Sequence, residues 1–158
     1  MDKADQLHAA ATAYWDAVAG PENRYAQTAL RALNNSGPAV TRTLRDARDF
    51  VPTAVEAITS LYPQKAQYLG VQALKNIVEA AVSECVSRSI RTMPAWWVMT
   101  VLRCTLGHAI SRDPLYPWVG KALNDEREGD PDERVRKVYS KAKIYLAEAI
   151  AYLEGRKQ

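Results

Sequence analysis

The stretch Pro94-Ala95-Trp96-Trp97-Val98-Met99-Thr100-Val101-Leu102-Arg103-Cys104-Thr105-Leu106-Gly107-His108-Ala109-Ile110 decides the fold. Wound at 100° per residue, its polar positions Thr100, Arg103 and Gly107, with Ser111 beyond, fall within about 80° of one another. The rest of the cylinder is apolar, the pattern of a helix covered on nearly all sides. It carries two of the four tryptophans, one of two cysteines and one of two histidines. A membrane span is a poor alternative, because Arg103 at the bilayer centre would cost about 2.5–3.5 kcal/mol.

Outward from this helix the chain reads as helices throughout. Ala and Leu are abundant, β-branched alternation is absent, and prolines fall where helices begin. Residues 2–19 form an expected first helix, with Leu7, Ala10, Ala11, Tyr14, Trp15 and Val18 on one face. A second runs over 21–33 from Pro21, and residues 34–38 read as a turn. Pro38 opens an expected third helix, 38–50, and Pro52 a short fourth ending at Leu61. A long helix follows over 63–91, which Gly70 divides if it breaks at all. The central helix is expected to span 94–111. A proline-punctuated turn at 113–117 leads to a short helix ending near Leu123. Asp130-Pro131-Asp132-Glu133 has the form of an N-cap, Pro at the first helical position and Glu at the third. The last helix then carries Val135, Val138, Tyr139, Ala142, Tyr145, Leu146, Ala149, Ile150 and Leu153 on its apolar face and stops at Gly155. The expected fold is all-α: a single-domain bundle (1–158) of about seven to eight helices around a central antiparallel hairpin, 63–91 and 94–111.

Composition narrows the function classes. At 158 residues, 47% hydrophobic and 25% charged, the chain suits one soluble domain with its own core. A net charge of +3 leans only mildly toward anionic partners. No secretory signal opens the sequence, so a cytoplasmic location is expected. Cys85 and Cys104 lie about five residues, ~7.5 Å, out of register across the expected hairpin. Two buried free thiols are therefore expected instead of a disulfide. The histidines at 8 and 108 and the two distant cysteines match no metal-ligand spacing. There is no Gly-rich phosphate loop, no Gly-x-Ser-x-Gly elbow and no kinase or Rossmann fingerprint. No metal and no cofactor are expected. Carboxylate pairs such as Glu79 with Glu84, or Asp46 with Asp49, show no apolar setting that would raise a pKa.

Arg103 and His108, with four residues between them, form the one candidate catalytic pair. This pattern resembles the Arg-x(4–6)-His signature of the HEPN ribonucleases. The resemblance covers six residues, and it departs from the usual form in placing Cys104 directly after the arginine. It implies an all-helical, usually dimeric protein in which Arg103 and His108 cleave RNA without a metal. A proton carrier and a cation for developing phosphate charge are what that chemistry needs. On a straight helix the two side chains lie about 140° apart. His108 then joins the apolar stripe of Trp97, Val101 and Cys104, and reads instead as a core histidine, with Arg103 held by a carboxylate.

Two further sets stand out as binding candidates. Arg42, Arg45 and Arg48 recur every three residues near Arg24 and Arg31. Together they either track an RNA or DNA backbone or form a solvated face with Asp46 and Asp49. Tyr116 and Trp118 flank Pro117 in a turn, wedged into the core or held out as an interface anchor. The expectation drawn from the whole is a non-enzymatic helical protein–protein interaction module, an accessory, adaptor or immunity-type partner, with self-association in prospect and no membrane contact. The alternatives are the HEPN-like ribonuclease and a small nucleoprotein subunit binding through the five arginines.

Overall fold

The computed structural model describes residues 2–36, 40–42 and 44–155; for Asn34 and Leu153 it describes the backbone alone. Among the described residues there are eight α-helices and no strands. They are α1 (Lys3–Ala19), α2 (Arg24–Ser36), α3 (Phe50–Leu61), α4 (Pro63–Leu69), α5 (Val71–Ser87), α6 (Met93–Leu106), α7 (Pro117–Leu123) and α8 (Pro131–Gly155). The all-α expectation holds.

α6 is the centre. Ala95, Trp96, Trp97, Met99, Thr100, Val101, Leu102 and Cys104 are all buried on it. Thr100, placed by the sequence on a polar strip, is fully buried and answers its hydroxyl by donating to the Trp96 carbonyl at 2.9 Å. Phe50 of α3 meets Trp96 edge-on, ring centroids 5.4 Å apart. α5 supplies the widest covering face, through Leu74, Ile77, Val78, Ala81 and Cys85. α8 covers another side with Val135, Val138 and Ala142, spaced as one helical stripe. All eight helices contribute a residue to this buried cluster. Both cysteines are free and buried.

The long helix expected over 63–91 is two helices. Gly70 sits at φ 80°, where a side chain would be strained, and there the chain turns from α4 into α5. α5 stops at Ser87 in a Schellman arrangement: Ile90 N–H donates to the Cys85 carbonyl at 2.9 Å and Ser89 N–H to Val86 at 3.0 Å. Ser89 takes the left-handed position at φ 60°, a place that glycine usually fills. Ile90, buried, closes the motif against the core.

α6 also ends earlier than 111. Gly107 adopts φ 123° and breaks it, so residues 107–113 turn away from the helix axis. At its other end the entry to α6 is held from far along the chain. Asp132, in the first turn of α8, accepts from Thr92 N–H at 3.1 Å and from the Thr92 hydroxyl at 2.6 Å. The start of α8 has the expected form, with Asp130 accepting from Asp132 N–H at 3.0 Å and Pro131 as first helical residue.

The helix expected over 38–50 is not formed. Pro38, Ala39 and Thr43 lie outside the described residues; residues 40–42 and 44–46 make turn and irregular structure, and one 3₁₀ turn follows at Ala47–Asp49. The β-branched Val40 and Thr41 disfavour helix here, and the Asp46 carboxylate takes the Arg48 N–H at 2.8 Å, starting structure only at 47. Conversely α2 carries on through Ser36, into the stretch expected to turn.

Two measurements test this account. Phe50→Ala should cost about 3–5 kcal/mol in urea unfolding, as a fully buried aromatic would. Ser89→Gly should instead raise stability by about 0.5–1 kcal/mol, because it relieves a left-handed L-residue; a loss would mean that the serine side chain contributes there.

Candidate functional site

Arg103 lies at the join of α5, α6 and the 107–113 turn. Its Nη2 donates to the Glu84 carboxylate of α5, and its Nη1 to the backbone carbonyl of His108 at 2.6 Å. Its Nε is buried without a partner among the described residues. Glu84 also accepts from Arg88 Nε at 3.1 Å, one turn along α5. Burial alone would push the Glu84 carboxyl up. The Ser111 hydroxyl and Arg103, both donating to it, together with the charges of Arg103 and Arg88, outweigh that and hold it below the ordinary carboxylate range. Glu84 therefore sits in a far more buried setting than its sequence suggested.

His108 is not on the apolar stripe of α6, since the helix has ended before it, and its side chain is exposed. The structure brings Arg103 to the backbone of His108 and spends the guanidinium on Glu84. Beside Arg103 an open cleft of about 490 Å³ is lined by Ser83, Glu84, Ser87, Arg88, Arg103 and Arg112. His108 is not among its lining residues.

The basic candidates do not form a stripe. Arg24 pairs with Glu22 at 3.1 Å, Arg31 with Glu154, and Arg48 with Asp46 at 2.7 Å. Arg42 and Arg45 are exposed on irregular chain, so the three-residue spacing carries no helical meaning. Tyr116 packs edge-on against Tyr145 of α8, centroids 5.6 Å apart, and Trp118 packs partly on the core. Leu115 between the turn prolines is the residue held out, 79% exposed. Trp118 also edges a wide cleft of about 1140 Å³ between α7 and α8, where Lys137 pairs with Glu128 and Arg136 with Glu133.

The burial of Cys85 and Cys104 pushes their thiols up to about 12 and about 11. Neither supplies thiolate near neutral pH. No group of three or more His, Cys, Asp or Glu among the described residues is placed to hold a metal. No helix among them is long and apolar enough to cross a membrane.

The least expected surface belongs to α1. Every residue from Asp2 to Ala13 is exposed, although the helix is properly started by a reciprocal Asp2–Asp5 capping box. Only its last turns dock, through Tyr14 edge-on to Tyr68 and through buried Val18. Leu7, Ala10, Ala11 and Trp15 face solvent, with Leu7 72% exposed. Beside them runs an apolar groove of about 310 Å³ between α1, α2 and α8, lined by Trp15, Val18, Leu30, Leu106, Leu146 and Tyr152 among others. Lys65 closes its floor, donating to the Cys104 carbonyl at the end of α6.

No protein family, curated protein or solved structure matches the chain.

Glu84, Arg88 and Arg112 are not visible as a cluster in the sequence. The Glu84–Arg88 pair was legible as an i,i+4 spacing; its link to Arg103 needed the hairpin register. The lowered Glu84 carboxyl makes stability depend on pH. Its stabilisation is present above the unfolded pKa, about 4.3, and is lost as pH falls through the lower folded value. Glu84→Gln should cost on the order of 3 kcal/mol near neutral pH and flatten the loss of stability between about pH 5 and pH 2. Urea unfolding curves for both proteins across that range check it; parallel acid limbs would remove Glu84 from the account.

Proposed function

We propose that this chain is a non-enzymatic helical protein–protein interaction module, and that its first partner is a second copy of itself. The observation that carries the reading is the exposed N-terminal part of α1. About three turns of helix stand clear of the body, and isolated helices of that length are marginal in water. A helix that keeps an apolar stripe there is best explained by a surface that covers it.

The chain itself presents both halves of such a contact. Leu7, Ala10 and Ala11 make a narrow stripe with small residues that allow close approach. The α1–α2–α8 groove offers an apolar bed whose lining includes the exposed rings of Trp15 and Tyr152. Two copies exchanging the start of α1 into each other's groove form an isologous, closed pair. The arginine-stripe reading loses its support, because three of its five members are already paired. The HEPN-like reading loses support because Arg103 is spent on Glu84 and a backbone carbonyl.

Sedimentation equilibrium is expected to give twice the 17.6 kDa of one chain. Leu7→Asp and Trp15→Asp, both at exposed positions, should each return it to monomer, with the amides of residues 3–13 losing hydrogen-exchange protection. A wild-type monomer across the micromolar range would sink the self-docking reading. RNA cleavage that His108→Ala abolishes would sink the non-enzymatic one.

A further inference from the structure

The cleft beside Arg103 has an imbalance of charge that neither the packing nor the docking surface explains. Three guanidinium groups, Arg88, Arg103 and Arg112, line it together with one carboxylate, Glu84. Both Glu84 oxygens are already occupied, one by Arg88 Nε and the other by Arg103 Nη2. The carboxylate is thus fully engaged by the two arginines, and among the described residues two positive charges of the cleft are left without a counter-ion. The Arg112 side chain makes no hydrogen bond or ion pair among the described residues, and Ser83, exposed on the same face of α5, has a free hydroxyl. Arg88 keeps one amino group uncommitted after donating to Glu84 and, at 2.6 Å, to Asn124.

Like charges are not gathered in a concavity without cost, so an arrangement of this kind is suited to an anion. We propose that this cleft binds a small phosphate monoester as its dianion. Two uncompensated positive charges match the dianionic headgroup. Arginine forks give paired donors to a tetrahedral oxyanion, and the Ser83 hydroxyl supplies one more. In this site Arg112 and Arg88 contact the phosphate oxygens. Arg103 and Glu84 are positioning residues: Arg103 fixes Glu84, and Glu84 fixes the Arg88 fork. At about 490 Å³ the cleft holds a phosphate with a sugar-sized group attached, which favours a small metabolite over an extended phosphopeptide.

Isothermal titration at fixed ionic strength, in buffer free of phosphate, tests the site with inorganic phosphate, a hexose phosphate and a phosphoserine-containing peptide. Saturable one-site binding is expected for the first two, tighter for the hexose phosphate. Arg112→Gln should weaken it at least about tenfold and Ser83→Ala a few-fold, while Lys75→Gln, elsewhere on α5, should leave it unchanged. Arg112 is exposed and unpaired, so its variant is expected to fold, and a far-UV spectrum confirms that. Absence of saturable binding would overturn the proposal, as would equal binding by the Arg112→Gln protein. Tighter binding of the phosphopeptide than of the hexose phosphate would overturn the assignment to a small metabolite.

Discussion

A helix without a polar face has to be covered all round, and α6 imposes that requirement on every other element. Its tryptophans, Met99, Val101 and Leu102 would each forfeit about 1.5–3 kcal/mol if left in water. α5 covers the broadest side, α3 brings Phe50 against Trp96, and α8 lays its Val135–Val138–Ala142 stripe along another. The polar atoms carried inside are answered locally. Thr100 bonds one turn back, and the Trp96 indole donates to the Ile90 carbonyl at 3.0 Å. The single charged residue of α6, Arg103, is taken up by Glu84.

That pair shows how the fold and the candidate site are one construction. Arg103 is placed at the rim of the buried helix, where Gly107 ends it, and its fork reaches across both helices of the hairpin. Breaking either end of the helix or losing the carboxylate would leave a cation in a poorly solvated place. The same geometry ties the guanidinium to the His108 backbone, while the His108 residue is exposed and does not line the cleft beside Arg103. Spacing in sequence brought those two residues together as a catalytic pair; three-dimensional placement joins the arginine to a backbone oxygen instead.

Helix existence and type were legible from periodicity, because α3, α5, α6 and α8 bury stripes at helical spacing. So were the proline starts of α4 and α8. Three things were not. The segment 38–50 has a helical count of apolar residues, yet local competition from Asp46 and the β-branched Val40 and Thr41 wins. The stripe on α1 was read correctly as a stripe, but a stripe in sequence does not say whether its cover comes from the same chain. The cluster of Glu84, Arg88, Arg103 and Arg112 escaped for a related reason: it is assembled across a hairpin whose turn falls at Arg88–Thr92, earlier than the sequence indicated.

The grip of Asp132 on Thr92 spans 40 positions of chain. As the polypeptide is synthesised, α6 is therefore complete before the residue that steadies its entrance exists. Closing that span costs loop entropy before the contact gives anything back, so the entrance of α6 belongs to the long-range part of the fold.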